Sequence, residues 1–355
     1  GTYRLPVRAV VLAPGHSARD TFQMLYDAGI PMEAKPFAVG VRIEHRQRDM
    51  DAAQYRQYAG HPCLPASTYK LSCHTAAGRG VFSFCVCPGG QVVAAASEPG
   101  RVVTNGMSHY ARSGENINGG MLVGVTPEDF GTDHPLAGVA WQRQLEAAAF
   151  RLGGGGFLAP CQRVEDFLAH RPSTGPGAVL PSYRPGVTWC DLHDCLPPFL
   201  TGAMEEALPL LERKLRGYAQ PDALLTAVET RSSSPVRILR DESGQSALRG
   251  LYPCGEGAGY AGGILFGGLF MLLYGAILHQ FGGIEVNFPL MVVYGLVGSA
   301  ITELGDLSFS LIKRQYGIKD YGNVIPGHGG MLDRFDSMIF CAPVVLFIVL
   351  LLPVF

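Results

Sequence analysis

The sequence predicts a composite fold: a soluble α/β part with a β-rich insertion, then an all-α transmembrane segment of about three helices. Three observations predict it. Charge changes abruptly at one place, with 24 basic and 24 acidic residues in 1–263 but only 4 and 6 in 264–355. The chain opens with an apolar run, a Pro-Gly turn and a helix-like segment, the unit from which α/β sheets are assembled. It closes with three apolar runs in 92 residues, whose Lys and Arg residues cluster in one connecting loop.

Composition bounds the rest. A chain of 355 residues that is 47% hydrophobic has room for two or more domains with real cores. A net charge of −2 argues against a nucleic-acid partner held on a basic surface. Nine cysteines, at 63, 73, 85, 87, 161, 190, 195, 254 and 341, follow no disulfide framework and fit a reducing cytoplasm. Gly1 stands in place of an initiating Met and no signal peptide follows, so the N-terminus is expected to be a cut edge.

Taken in order, residues 7–13 are apolar and largely β-branched, and Pro14-Gly15 ends them. Residues 17–28 read as a helix with Phe22, Leu25 and Tyr26 on one side and Gly29 as its stop. Segments 37–43, 81–86, 91–95 and 101–103 alternate as strands do, which gives the β-rich insertion. Residues 139–151 and 199–218 read as amphipathic helices, and strand character returns at 236–239 and 251–253. Five glycines follow in 255–263, where backbone can lie against a cofactor phosphate or ring.

The apolar runs are 264–278, 288–301 and 338–355, near the length of a bilayer span. Between the last two lies the densest polar stretch, 310–336. Asp306, Ser310, Lys313 and Arg314 share one helical face, and Asp333 and Asp336 are three apart on another. Carboxylates beside Lys, Arg and a Gly-His-Gly-Gly loop suit polyphosphate held by Mg²⁺. Lys313, Arg314, Lys319 and Arg334 place this loop on the cytoplasmic side.

That stretch resembles the CDP-diacylglycerol synthase (phosphatidate cytidylyltransferase) family. The pattern S-x-apolar-K-R, K-D, a small residue, P-x-H-G-G and D-R-x-D is met at Ser310, Lys313, Arg314, Lys319, Asp320, Gly322, Pro326, His328, Gly329, Gly330, Asp333, Arg334 and Asp336. The resemblance covers about 265–355, the C-terminal third of a family member. It implies transfer of a cytidylyl group from CTP to phosphatidate, giving CDP-diacylglycerol and diphosphate, in the bacterial inner membrane. Ser310, Lys313, Arg314, Lys319, Asp320, His328 and Arg334 would be catalytic, and Asp306, Asp333 and Asp336 would hold Mg²⁺. The partners implied are CTP, phosphatidate and the lipid bilayer; a homodimer stays open.

Six short strings resemble a second, bacterial family of uncharacterised FAD-dependent dehydrogenase-like proteins. They are G-H-S-A-R-D-T (15–21), K-P-F-A-V-G-V-R-I-E-H (35–45), S-F-C-V-C-P-G-G (83–90), T-N-G-M-S (104–108), E-T-R-S-S-S-P-V-R-I (229–238) and G-L-Y-P-C-G-E-G-A-G-Y-A-G-G (250–263). The resemblance implies a partial FAD-binding α/β domain, at 1–35 and 236–263, around an inserted substrate-type domain at 36–235. The membrane-embedded cytidylyltransferase region then occupies 264–355. Gly255, Glu256, Gly257, Gly259, Gly262 and Gly263 would face the flavin. The family's N-terminal G-x-G-x-x-G unit is absent, so FAD is not expected to be retained.

Smaller features carry weaker expectations. Cys85-Val86-Cys87 has neither C-x-x-C spacing nor a second pair, which favours a structural or flavin-facing role over a metal. Residues 189–195 favour a polar loop over a ligand cluster, and 153–156 a flexible turn. Arg42, Glu44 and His45 alternate along a strand and are expected to split between two faces. Three outcomes follow for the whole chain: a membrane cytidylyltransferase fused to or mis-joined with a truncated flavoprotein, an FAD-dependent oxidoreductase of unknown substrate, or an inactive chimera.

Overall fold

The computed structural model describes residues 7–260, 271–272, 275–276, 279–280, 285–298, 301 and 346. By internal contacts the chain divides into two units, residues 1–253 with 257–259, and residues 254–256 with 260–355.

In the first unit the order is β1 (Val10–Leu12), α1 (Arg19–Asp27), β2 (Met32–Ala34), β3 (Phe37–Arg46), α2 (Gln47–Tyr55), β4 (Ser72–His74), β5 (Gly80–Ala94), β6 (Thr104–Ser108), β7 (Asn116–Val125), α3 (Ala137–Leu152), β8 (Ala159–Arg163), α4 (Val164–Leu168), β9 (Val187–Trp189), α5 (Pro198–Glu212), β10 (Leu224–Glu229), β11 (Val236–Ile238) and β12 (Leu251–Pro253). Eight strands form one sheet in the order β4-β5-β7-β3-β10-β8-β9, with β6 also on β5. Its pairings are antiparallel except β8–β9.

β3 is the hub. It pairs with β7 from Phe37↔Val125 to Arg46↔Asn116 and with β10 on its other edge. Its sequence FAVGVRIEHR is buried at every position but the last. Val39, Val41 and Ile43 join Met121 and Val123 of β7, Leu145 and Ala149 of α3, and Leu200, Met204, Leu208 and Leu211 of α5 in the main core. Burying each larger aliphatic contributes about 2 kcal/mol. Two small sheets stand apart from the large one: β1 lies parallel to β12, and β2 antiparallel to β11.

Several elements differ from the sequence expectation. Segments 81–86 and 91–95 belong to one strand, β5, because bulges between Phe84/Cys87 and Cys87/Gly90 absorb the Pro-Gly-Gly in its middle. Residues 101–103 are not a strand; pairing begins at Thr104. α5 stops at Glu212, whose carboxylate accepts from the N–H groups of Gly217 and Ala219, both at 2.8 Å, and so fixes the turn that follows. Arg42 and Glu44 do lie on one face of β3 and His45 on the other, as expected, and both faces are covered, so all three are buried.

In the second unit residues 288–298 are helical, with Met291 and Tyr294 buried against Met271, Val286 and Leu290. The expected spans 264–278 and 338–355 lie mostly outside the described residues, as do residues 299–300 of the run 288–301. Among the described residues no helix is long and apolar enough to cross a membrane.

Candidate functional site

Four of the six short strings converge on one side chain. Arg42, from 35–45, is fully buried in β3, and a buried guanidinium needs partners for its five N–H groups. Its Nη1 lies 3.1 Å from Glu229 Oε2, supplied by the 229–238 string at the end of β10. Asn118 of β7 accepts from Nε at 3.1 Å and from Nη2 at 2.5 Å. The 83–90 string adds the Cys85 carbonyl at 2.8 Å and the Cys87 thiol at 3.7 Å.

Glycine makes room for this cluster. A Cβ at Gly106, from 104–108, would overlap Arg42 Nη2 and Asn118 Oδ1. A Cβ at Gly120 would stand 2.8 Å from Glu229 Oε2.

The β5 bulge sets the sulfurs. Cys85 has φ 43°, a left-handed conformation uncommon for a residue with a side chain, and its thiol is exposed. Cys87 points inward, its Sγ 3.3 Å from the Cys85 carbonyl. A hydrogen bond from Cys87, outweighing partial burial and helped by Arg42, brings the Cys85 thiol down to about 6. Cys87 is pushed far up by the same bond and by burial. Burial raises Glu229 to about 7 although Arg42 pulls it down. Burial opposes the charge on Arg42 too, but Glu229 and Cys87 outweigh it and raise its pKa. The result is an exposed, readily ionised thiol above a buried cation, suited to nucleophilic or redox chemistry.

The first of the strings has a separate part. Its Arg19 is buried between Glu146 of α3, at 2.6 Å, and Gln142, at 2.9 Å. Arg231 approaches the other Glu146 oxygen at 3.1 Å. This network fastens α1 to α3. Near the end of β3, residues including Arg46, Arg48, Arg112 and Glu115 line an open cleft of about 560 Å³.

Of the residues expected to bind a cofactor, Gly255, Glu256, Gly257 and Gly259 are described. Gly257 needs its missing side chain because a Cβ would overlap the Pro14 carbonyl. Gly259, at φ 86°, would meet Arg237 Cα and the Val236 carbonyl at 2.8 Å. Both thus fit closely against the chain's own backbone. Gly255 has φ 75° and open space at its Cβ position, and Glu256 is exposed. Gly262 and Gly263 lie outside the described residues, as do Asp306, Ser310, Lys313, Arg314, Lys319, Asp320, His328, Asp333, Arg334 and Asp336. In the 189–195 stretch Cys190 and Cys195 are buried, and burial raises the Cys190 thiol to about 11.

A family model described as FAD-dependent protein, C-terminal domain-like matches residues 36–232, more than half of the chain. The chain belongs to this family. An uncharacterized protein of Clostridium beijerinckii is 51% identical over 259 residues, which is 72% of this chain and 49% of that protein. A second model, the cytidylyltransferase family, matches residues 257–352. Phosphatidate cytidylyltransferases cover the same part: that of Bacillus subtilis is 39% identical over 93 residues (26% of this chain, 33% of the relative). That of Synechocystis sp. is 47% identical over 89 residues (25% and 29%). The chain therefore spans about half of the Clostridium relative and about a third of the cytidylyltransferases. Within the FAD-dependent C-terminal-like domain, sequence reasoning missed the Arg42–Glu229 pair. The available signal was an arginine following the apolar run 37–41 and a glutamate closing the apolar strand 224–229, since buried charges are tolerated only when paired.

Proposed function

We propose that residues 257–352 perform phosphatidate cytidylyltransferase chemistry, moving the cytidylyl group of CTP onto phosphatidate with release of diphosphate. The observation that carries this is the unbroken motif from Ser310 to Asp336 inside the matched segment. Two anions must approach each other, so charge has to be neutralised and the attacking oxygen placed in line with the leaving group. Lys313 and Arg314 bind phosphate oxygens, and Lys319 and Arg334 add charge to the loop. Ser310 and the backbone around His328 orient the nucleotide. Asp306 and Asp333, supported by Asp336 and Asp320, are a hard-oxygen donor set of the kind that fits Mg²⁺. Mg²⁺ supplies charge neutralisation at the transferred phosphoryl group. The proposal includes a bacterial inner membrane setting with the 303–336 loop cytoplasmic, following its four basic residues.

The test uses the full chain in lipid or detergent, with CTP labelled at its α-phosphate, Mg²⁺ and phosphatidate. Labelled CDP-diacylglycerol is expected, and its loss in Asp333→Asn. No product, while a full-length phosphatidate cytidylyltransferase works in the same mixture, would leave the reading of a chain in which this part is inert.

For residues 36–232 the alternative is flavin-linked oxidoreduction of an unknown substrate, favoured by the exposed Cys85 thiol over Arg42. Among the described residues the turn after β1 reads Pro14-Gly15-His16-Ser17 and holds no G-x-G-x-x-G, while Gly257 is packed against Pro14. These residues do not by themselves fit the pyrophosphate of FAD, and no step is derived through it. Added FAD should pass through gel filtration separately from the chain; a stoichiometric flavin band travelling with the protein would reverse this.

A further inference from the structure

We propose that His170, His193 and Glu205 form a binding site for a first-row divalent cation of the Zn²⁺ type. None of the six strings contains these residues, and neither activity above uses them. Three separate segments bring them together: His170 follows α4, His193 lies in the 3₁₀ turn Leu192–Asp194, and Glu205 stands on α5. One ligand-type atom from each lies within 4.8 Å of the others. Glu205 Oε1 is 2.7 Å from His193 Nε2 and 3.3 Å from His170 Nε2.

The surroundings prepare His193 as a ligand. Its Nδ1 is 2.5 Å from Asp191 Oδ1. A carboxylate on Nδ1 holds a hydrogen there, so a metal that displaces the hydrogen Nε2 shares with Glu205 Oε1 meets the Nε2 lone pair. Asp191 is itself fixed, accepting from the His193 backbone N–H at 3.0 Å and from Gln162 Nε2 at 3.3 Å. The Phe167 ring stacks on His193 at 4.7 Å, and the His170 ring at 4.4 Å. His170 has φ 50°, and its side chain is 61% exposed, so its ring can turn toward an ion arriving from solvent.

Charge and donor type agree. With both imidazoles neutral, Asp191 and Glu205 leave two negative charges that a dication offsets. Two imidazole nitrogens and one carboxylate oxygen match the three protein ligands of zinc sites whose fourth position is open to water. A hard cation such as Mg²⁺ or Ca²⁺ would instead seek an all-oxygen set. The competing arrangement is a protonated His193 bridging the two carboxylates with no metal.

The test uses the full chain, stripped with a chelator and titrated with Co²⁺ as a visible reporter. One equivalent should bind with d–d absorption, without the near-ultraviolet charge-transfer band that thiolate ligands give, and Zn²⁺ should displace it. His170→Ala and Glu205→Gln should each weaken binding at least ten-fold, and Asp191→Asn by about ten- to a hundred-fold, the usual range for an outer partner of a ligating histidine. Because the His170 side chain is exposed, an unchanged melting temperature in His170→Ala separates lost ligation from lost fold. A thiolate charge-transfer band, affinity unchanged in His170→Ala and Glu205→Gln, or the absence of one-equivalent binding would overturn the proposal and leave the protonated bridge.

Discussion

Arg42 Nη1 lies 3.1 Å from Glu229 Oε2, with the two side chains 0% and 3% exposed, and this pair joins the central strand β3 to β10. Removing one partner strands a charge that water cannot reach. Glu229→Gln is expected to cost about 3–5 kcal/mol, whereas Arg42→Met with Glu229→Leu should recover only part of that loss, because Asn118 and the Cys85 carbonyl then lose their donor. Both tryptophans, Trp141 and Trp189, belong to this unit, so thermal melting followed by their fluorescence reads the change. A Glu229→Gln chain that melts with the parent would show that the pair is dispensable.

Cys85 should be the thiol that titrates early. With its pKa lowered to about 6, the pH profile of alkylation at this residue should have its midpoint near that value, well below the ordinary cysteine range of roughly 8.5. Cys63 is also exposed, so the modified residue is identified by mass spectrometry. Cys87→Ala should move the midpoint upward by removing the principal hydrogen bond to the thiolate. A midpoint at or above 8 in the parent chain contradicts the arrangement.

His45 gives a pH dependence of defined sign. Its Nε2 is 2.7 Å from the Tyr218 carbonyl, which only accepts, so the ring hydrogen is on Nε2, and among the described residues the buried Nδ1 has no partner. Burial lowers its pKa from 6.5 to about 4. The unfolded chain thus binds a proton that the folded chain refuses. This contribution is present above about 6.5 and is lost as pH falls through 4, amounting to about 3 kcal/mol. In His45→Phe the fall in melting temperature between pH 6.5 and 4 should be smaller; an unchanged slope would assign the acid sensitivity to other groups.

For the cytidylyl transfer proposed above, the residues to change are Asp306 and Asp333. In an intact phosphatidate cytidylyltransferase carrying this segment, Asp→Asn at either position should lower turnover by about two or more powers of ten, with protein level largely kept. Near-normal turnover with an unchanged Mg²⁺ requirement would make these aspartates ion-pair partners of Lys313, Arg314 and Arg334.

What the sequence made legible followed from local pattern. The start of β3, both long helices and the parallel partners β1 and β12 all announce themselves within a dozen residues. Long-range geometry did not. Glu44 and His45 alternate like residues of a half-exposed strand, and only the flanking β7 and β10 with their covering helices bury both. Pro88-Gly89-Gly90 looks like a stop, yet bulges carry β5 through it. His193 lies in a stretch that reads as a polar loop, because its ligand-type neighbours come from α5 and from the turn after α4. The cytidylyltransferase motif is the reverse case: its residue identities are plain, while its positions lie outside the described residues.

The pairing of β3 with β10 also governs when this domain can finish folding. Arg42 and Glu229 are 187 residues apart, so at roughly 5–20 residues per second the ribosome needs about 10–40 s to deliver the partner. During that interval β7 can pair with β3 on one side and β5 on the other, but the second edge of β3 stays open beside an unneutralised guanidinium. An open edge of this kind invites pairing with another nascent chain. Newly made protein should therefore depend on chaperone capacity during synthesis, most acutely where translation pauses before residue 229.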